Sequence, residues 1–359
     1  MSSKKLKLIV LENIKELGQN INEYLKELNN TDKDFIIEIE ANRFSNGEGK
    51  IKLQNSVRDS DVYILSDVGN YGITYTMHGK IHEMSPDEHF QDIKRVISAI
   101  SGNAEKMHLI MPLLYQSRQH KRKGRESLDC AIALQELERI GITDIISFDV
   151  HAPDVSNAIP NLPFENIYPT NVILDDFIQN EQDIKDNLLV ISPDMGAMER
   201  AKYYAEILGC DVGAFYKRRD LTKLVNGKNP IIEHVYLGTS VKDKNIIIAD
   251  DMIASGKTMI EVAQDLKQRG AQNIYFIASF ALFTEGYQLF NEAHNQGIFN
   301  KVYSTNLSYV PQEIKEQEWY KEVDCSKLIA QLIYDINKGN SLESYYNPNK
   351  DLMRKARRR

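Results

Sequence analysis

Residues 245–258 read NIIIADDMIASGKT and combine an apolar run, two adjacent acids and a turn of small residues. The apolar run predicts a buried strand, with Asp250 and Asp251 at its carboxyl end. The turn 254–258 leads into a helical pattern that begins at Met259. Because a helix N-terminus presents backbone N–H groups and the positive end of a dipole, we expect this turn to bind phosphate.

The letters SGKT at 255–258 also invite comparison with a Walker A loop, but the spacing excludes it. That loop requires GxxxxGK[ST], and the residue five positions before Gly256 is Asp251. The two acids could simply cap the following helix. Two acids beside a phosphate-binding turn instead favour a sugar-phosphate site, in which carboxylates bind ribose hydroxyls or a metal.

Strand-like and helix-like patterns alternate along the whole chain, beginning with a predicted strand at 6–11. This alternation predicts an α/β fold with mostly parallel sheets flanked by helices on both faces. Charged clusters follow the predicted strands after positions 114, 148, 191, 215 and 249. Since ligands bind at the carboxyl ends of parallel strands, we expect a binding region built from several strands.

Length and composition restrict the class of protein. A chain of 359 residues favours two domains, and 42% hydrophobic with 26% charged residues is ordinary for a globular enzyme. The net charge of −7 argues against general affinity for nucleic acid or an anionic membrane. Three scattered cysteines, the lack of a long apolar window and an N-terminus unlike a signal peptide predict a cytoplasmic protein.

The segment DDMIASGKT (250–258) resembles the phosphoribosyl pyrophosphate loop shared by type I phosphoribosyltransferases and ribose-phosphate pyrophosphokinases. Further segments resemble the pyrophosphokinases alone and occur in that family's order. They are RFSNGE (43–48), SVRDSDVYIL (56–65), YQSRQHKRKGRES (115–127), FDVHA (148–152), SPDMGAMERA (192–201) and YKRRD (216–220). The chain is therefore similar to the ribose-phosphate pyrophosphokinase family, as a divergent member.

The resemblance implies two phosphoribosyltransferase-type domains and transfer of the diphosphoryl group of ATP to the C1 hydroxyl of ribose 5-phosphate. The products are AMP and phosphoribosyl pyrophosphate, the latter for nucleotide biosynthesis. It also implies Mg2+ as the cofactor. The implied assembly is a homo-oligomer, a dimer or a hexamer, in which the nucleotide site is shared between subunits, with no nucleic-acid or membrane partner.

The family's site residues map onto matching positions of this chain. The implied catalytic cations are Lys217 and Arg219. The implied ATP-binding residues are Phe44, Asn46, Glu48, Arg118 and Gln119. The implied metal ligands are His151 and Asp194. The implied ribose-5-phosphate-binding residues are Asp250, Asp251, Ala254, Ser255, Gly256, Lys257 and Thr258. A lone histidine after a strand, such as His151, is usually a turn residue, and a charge run such as 217–219 is usually a solvated surface. The family match favours the functional interpretation of both instead.

Ala254 and Lys257 depart from the family loop, which usually carries an acid and a glycine there. They leave two alternatives open: a catalytically silent, synthetase-like regulatory subunit, and a phosphoribosyltransferase. Residues 67–90 also depart from the family and show weak periodicity, so we expect an irregular insertion. His78 and His82 do not form an HExxH motif, which disfavours a metal hydrolase.

The expected domains follow from these positions. Residues 1–165 form an N-terminal ATP-binding and oligomerisation domain, onto which residues 306–340 pack back. Residues 166–305 form a C-terminal domain that binds ribose 5-phosphate. Residues 341–359 are expected to be a polar, basic tail.

Overall fold

The computed structural model describes residues 5–122, 124–181, 187–219, 231–346 and 350–357. The strands are β1 Lys5–Val10, β2 Ile39–Arg43, β3 Gly49–Leu53, β4 Ser60–Leu65, β5 Thr74–Met77, β6 Lys80–Glu83, β7 Lys106–Ile110, β8 Asp144–Phe148, β9 Phe164–Ile167, β10 Leu188–Ser192, β11 Asp211–Arg219, β12 Ile231–Leu237, β13 Asn245–Ile253, β14 Ile274–Ala281, β15 Lys301–Thr305 and β16 Tyr320–Val323. The helices are α1 Lys15–Asn29, α2 Pro86–Ile100, α3 Asp129–Arg139, α4 Thr170–Asn180, α5 Met198–Leu208, α6 Lys257–Gln268, α7 Gln288–Asn295, α8 Gln312–Lys315, α9 Ser326–Lys338, α10 Glu343–Tyr346 and α11 Lys350–Arg357. None of these helices combines the length and hydropathy that a bilayer-spanning helix requires.

The chain divides into two compact units. The first comprises Met1–Pro169, Asn306–Pro311 and Asp324–Asn347, and the second comprises Thr170–Thr305, Gln312–Val323 and Pro348–Arg359. Two expected assignments are therefore wrong. Gln312–Val323 belongs to the second unit because β16 pairs in parallel with β15 at the edge of its sheet. The expected tail is also divided, since α11 buries Leu352 in the core that includes α4 and α5.

The first unit contains a five-stranded sheet in the order β1-β4-β7-β8-β9, with every neighbouring pair parallel. The interior strand β4, between β1 and β7, is buried at every residue, as expected for a strand covered on both faces. Apolar residues of α2 and α3 complete the core on one face, and α1 packs against α9. The predicted alternation of strands and helices is confirmed here.

Two antiparallel hairpins accompany this sheet. β2 and β3 form one, and β5 and β6 form the other. The second turns at His78 and Gly79, whose φ angles of 48° and 76° are those of a type I′ turn. The expectation of an irregular insertion at residues 67–90 is therefore wrong, because this stretch contains the β5–β6 hairpin. Before β2, Ile36 forms an isolated parallel bridge with Leu8.

The second unit contains a seven-stranded sheet in the order β12-β11-β10-β13-β14-β15-β16. All neighbouring pairs are parallel except β11 with β12. The chain runs outward from β10 to β11, then returns to place β13 and the later strands on the other side of β10. The carboxyl ends of β10 and β13 therefore flank a topological switch point, where open α/β sheets bind ligands.

Candidate functional site

The quoted segment lies at this switch point. β13 continues through both acids and ends at Ile253. Asp250 and Asp251 therefore lie near the carboxyl end of β13, where it still pairs with β14, and not beyond the strand. Residues 254–256 form a short loop, and α6 begins at Lys257, two residues earlier than predicted. The expected order of strand, acids, small-residue loop and helix N-terminus is confirmed.

Gly256 occupies a position that only glycine fits. Its φ angle is 75°, and a Cβ atom there would lie 2.1 Å from Cζ of Phe290. The loop is held on its other side by the N–H of Thr284, which donates to the carbonyl of Ala254 at 3.0 Å. The backbone at the start of α6 is therefore fixed close to the aromatic core of the unit.

Side chains around this loop differ in exposure. Ala254, Ser255 and Thr258 are half-buried, whereas the Lys257 side chain is 72% exposed and its Nζ lies 4.0 Å from Glu261. The lysine that replaces the family's glycine thus stands at the first residue of α6, beside the N–H groups that we expect to bind phosphate.

The two adjacent acids differ in burial, because Asp251 is buried and Asp250 is half-buried. Asp251 is 3% exposed, and its backbone N–H donates to Oδ1 of Asp250 at 2.9 Å. Burial raises the pKa of Asp250 well above its usual value, and the adjacent Asp251 raises this pKa further. Arg200, whose guanidinium lies 3.9 Å from Oδ1 of Asp250, lowers the pKa and partly offsets both effects.

The sequence analysis did not identify Arg200 as a site residue, although it belongs to the segment SPDMGAMERA (192–201). It lies in the first turn of α5, the helix that follows β10. The sequence did contain a signal for Arg200: it is a cation in the helix that directly follows Asp194 at the end of a predicted strand. Its pairing with an acid fifty positions later in the chain is a tertiary contact.

Asp194 lies two residues after β10, the strand that pairs with β13. Its Oδ1 accepts the N–H groups of Gly196 at 2.8 Å and Ala197 at 3.3 Å. The Ser192 hydroxyl donates to the Asp194 carbonyl at 2.6 Å. These bonds order the turn before α5 and place the Asp194 carboxylate at the same edge of the sheet as Asp250.

Lys217 and Arg219 lie in the last three residues of β11, the neighbour of β10 on the side opposite to β13. Their backbone extends this strand beyond the pairing of Ala214 with Ser192. Their side chains, and residues 220–230, lie outside the described part of the chain. The second unit thus places the predicted catalytic cations on β11, the predicted metal ligand Asp194 after β10, and the two predicted ribose-binding acids on β13. These three strands are neighbours, with β10 in the middle.

The predicted ATP-binding residues of the first unit fall into two groups. Phe44, Asn46 and Glu48 form the turn of the β2–β3 hairpin and are all exposed. Within this turn the Phe44 N–H donates to the Glu48 carbonyl at 2.8 Å, and the Asn46 amide donates to the Glu48 carboxylate at 3.0 Å. We refer to residues 44–48 as the nucleotide turn.

The other group follows the adjacent strands β7 and β8. Arg118 and Gln119 are exposed in the segment after β7, and His151 is exposed after β8. The rings of His120 and His151 meet edge to face with centroids 5.7 Å apart. The structure therefore brings the basic segment and the predicted metal-binding histidine together.

The donor set determines how well these residues suit Mg2+. Within the described ranges, no group of three or more His, Cys, Asp or Glu side chains has an arrangement that could hold a metal. Mg2+ keeps several waters and needs only one or two carboxylates, so Asp194 and the Asp250–Asp251 pair suit it. The imidazole of His151 suits it less, because Mg2+ prefers oxygen ligands.

Comparison with known proteins assigns the two halves of the chain. Residues 6–141 match the N-terminal domain of ribose phosphate pyrophosphokinase, and residues 164–305 match the phosphoribosyl transferase domain. A ribose-phosphate pyrophosphokinase of Chlorobaculum tepidum is 26% identical over 325 residues, covering 89% of this chain and 90% of the relative. One from Ralstonia nicotianae is 28% identical over 248 residues, covering 68% of this chain and 70% of the relative.

The fold has a counterpart among solved structures. The crystal structure of phosphoribosylpyrophosphate synthetase from Mycobacterium smegmatis matches with a TM-score of 0.77 at 20% identity, covering 93% of this chain and 99% of that one. The expected fold of two phosphoribosyltransferase-type domains is confirmed. Because both matched domains occur in order on one chain, this protein belongs to the ribose-phosphate pyrophosphokinase family.

Proposed function

We propose that this protein is a ribose-phosphate diphosphokinase, which transfers the diphosphoryl group of ATP to the C1 hydroxyl of ribose 5-phosphate and releases AMP. The observation that carries this function is the presence of both matched domains, 6–141 and 164–305, on one chain. The second domain alone would equally suit a phosphoribosyltransferase. The first domain disfavours that alternative.

The second unit offers the features that ribose 5-phosphate requires. Asp250 and Asp251 supply carboxylate acceptors for the ribose hydroxyls, and Arg200 keeps part of their charge compensated. The loop 254–256 leads into the first turn of α6, and the backbone N–H groups of a helix N-terminus are suited to bind the 5-phosphate. Ser255 and Thr258 add hydroxyl donors to the same loop. We assign this region to the acceptor substrate.

The first unit offers the features that ATP requires. The exposed ring of Phe44 can pack on the adenine base, while Asn46 and Glu48 present polar groups for its amino edge. Arg118 can bind phosphate through both arms of its guanidinium, next to Gln119 and His151. Since Phe44 is 49% exposed, we propose a homo-oligomer in which this turn completes the nucleotide site of a neighbouring subunit.

Diphosphoryl transfer depends on positioning and on neutralisation of phosphate charge. We propose that Lys217 and Arg219 supply positive charge to the transferred group. We propose that Asp194 is the carboxylate that would hold Mg2+, which would supply further charge neutralisation when bound. The proposed cellular location is the cytoplasm.

The test is AMP formation from ATP by the purified protein with Mg2+, with and without ribose 5-phosphate. We expect AMP only when the sugar phosphate is present, in equal amount to phosphoribosyl pyrophosphate. ATP hydrolysis that ignores the sugar phosphate would contradict the function. Lys217→Ala should lower turnover by about two orders of magnitude or more without changing the thermal unfolding midpoint.

One observation favours a second candidate, a catalytically silent regulatory subunit. Ala254 and Lys257 replace the acid and the glycine that the family loop usually carries. Such a subunit would bind ribose 5-phosphate in calorimetry and yield no AMP in the same assay. Turnover by the purified chain alone would exclude it.

A further inference from the structure

The β5–β6 hairpin, residues 74–83, carries none of the family-derived site residues. It lies in the stretch where this chain departs from the family's pattern. Its two strands are four residues each, joined by the His78-Gly79 turn. A two-stranded hairpin of this size is marginal in water unless it packs against something else. Its packing therefore indicates its role.

One face of the hairpin is packed and the other is exposed. Tyr75, Met77 and His82 are half-buried, whereas their neighbours Thr76 and Ile81 are exposed, Ile81 to 82%. This alternation is the normal two-residue period of a strand. The packed face contains the aromatic and sulfur-bearing side chains, and it is directed towards α2 and the β2–β3 hairpin.

The end of the hairpin contacts the nucleotide turn directly. The N–H of His78 donates to the carbonyl of Ser45 at 2.9 Å. Gly47 has a φ angle of 91°, and a Cβ atom there would lie 2.9 Å from Sδ of Met77 and 3.4 Å from Oη of Tyr75. The backbone between Phe44 and Glu48 is thus supported by the residues at the tip of β5.

A second set of contacts fixes the base of the same turn. Arg43, the last residue of β2, lies over the Tyr75 ring with its guanidinium carbon 5.5 Å from the centroid. Its Nη2 is 2.5 Å from the Asp92 carboxylate on α2. Arg43 is therefore held between the hairpin and the helix, and it leads straight into Phe44.

Glu88 of α2 anchors the hairpin itself. Its carboxylate accepts the Tyr75 hydroxyl at 2.6 Å, lies 3.1 Å from Nε2 of His82, and accepts the Ser85 N–H at 2.9 Å in the capping box of α2. Burial of Glu88 opposes ionisation, but these hydrogen bonds outweigh it and lower its pKa to about 2. The anchor is thus a carboxylate that stays ionised across the physiological range.

We propose that the β5–β6 hairpin is a positioning element for nucleotide binding, in which Met77, His78 and Tyr75 hold the turn that carries Phe44, Asn46 and Glu48. A turn that is already ordered loses less conformational entropy when ATP binds, so the hairpin increases affinity for the nucleotide. The contacts that carry this role, to the nucleotide turn and to α2, lie within the first unit. Its effect is therefore specific for ATP over ribose 5-phosphate.

This role rests on the proposed function, and the test separates the two. Met77→Ala removes the side chain under Gly47, and Ile81→Ala is the matched control, an equally apolar residue truncated on the exposed face of the same hairpin. We expect Met77→Ala to raise the KM for ATP about 3- to 10-fold, the cost of ordering about one flexible group. The KM for ribose 5-phosphate and kcat should stay within about twofold. Ile81→Ala should match the wild type in all three.

A second variant covers the case in which Met77→Ala disturbs folding. The Met84 N–H donates to the Ile73 carbonyl at 2.8 Å, so these residues are already paired where the hairpin begins. Replacing residues 74–83 by Asn-Gly closes the chain there with a two-residue turn. We expect a raised KM for ATP and weaker calorimetric binding of a non-hydrolysable ATP analogue, with no change for ribose 5-phosphate.

The outcomes are distinct. No AMP formation by the wild type overturns the proposed reaction and, with it, this role. Wild-type turnover with an unchanged KM for ATP in both Met77→Ala and the hairpin replacement overturns the positioning role and leaves the reaction standing. An equal loss for both substrates, together with a lower thermal midpoint, assigns the hairpin to general stability and also overturns it.

Discussion

The guanidinium of Arg200 lies 3.9 Å from the carboxylate of the half-buried Asp250 and brings a positive charge to the adjacent acids Asp250 and Asp251. Arg200 follows β10 and Asp250 lies on β13, so the contact spans the switch point of the second sheet. Burial and the neighbouring Asp251 still keep the pKa of Asp250 raised. The proposed sugar site thus depends on a balance between desolvation, like-charge repulsion and one nearby cation.

Arg200→Gln should weaken ribose 5-phosphate binding, because the pKa of Asp250 then rises further and the ionised acceptor is lost more easily. A partly exposed ion pair contributes at most about 1 kcal/mol, which corresponds to roughly a fivefold rise in KM. The rise should be steeper below neutral pH. Arg200→Lys keeps the charge and should retain most of the affinity. A KM profile between pH 6 and 9 identical to the wild type would remove Arg200 from this role.

Gly256→Ala should destabilise the protein for two separable reasons. A left-handed φ angle costs a non-glycine residue about 1–2 kcal/mol, and forcing Cβ against Phe290 adds about 1–3 kcal/mol. Gly297→Ala is the matched control, since its φ angle is 67° and a Cβ atom there meets nothing within 4 Å. Urea unfolding should show the larger loss for Gly256→Ala. Equal losses would mean that the approach to Phe290 carries no cost.

Lys257→Ala should change binding without changing stability. Its exposed side chain lies 4.0 Å from Glu261, and such surface pairs contribute less than about 1 kcal/mol. If Lys257 faces the 5-phosphate, its loss should raise the KM for ribose 5-phosphate and reduce the salt dependence of that KM. Glu261→Gln removes the competing acid and should lower the same KM. Two unchanged KM values would place Lys257 in solvent.

Asp67 should make the stability of the protein depend on pH. It is 1% exposed and accepts the N–H groups of Gly69 at 2.8 Å and Tyr309 at 2.7 Å, with the Ser308 hydroxyl at 3.0 Å. Burial raises its pKa to about 6, although these hydrogen bonds oppose the rise. The native state therefore binds the proton more tightly than the unfolded chain, and this contribution to stability declines as pH rises from about 4 to about 6.

Asp67→Asn removes that titration. Between pH 4.5 and pH 7, the difference in unfolding free energy between wild type and variant should shift by roughly 2 kcal/mol, with the wild type losing more on the alkaline side. Urea unfolding at the two pH values measures it. Parallel behaviour of the two proteins would show that Asp67 titrates near its ordinary pKa in the native state.

Short-range patterns account for most of the fold. The apolar run before Asp250 predicts a buried strand, and the small residues after it predict a turn into a helix, because these features depend on neighbours in the chain. The β5–β6 hairpin was missed because its short-range pattern is weak. Its strands are four residues long, and the left-handed His78-Gly79 turn was its main local signal.

Residues 245–258 carried, in fourteen consecutive positions, the strand, the acids, the glycine and the helix start of the candidate sugar site. Backbone preference and hydrophobic burial act between neighbouring residues there, so the sequence alone was enough to predict these four features. The pairing of Arg200 with Asp250, the transfer of Gln312–Val323 to the second unit and the support of Gly47 by Met77 required the folded chain. Each joins segments far apart in the chain, and their partners are chosen by sheet order and packing rather than by neighbouring residues.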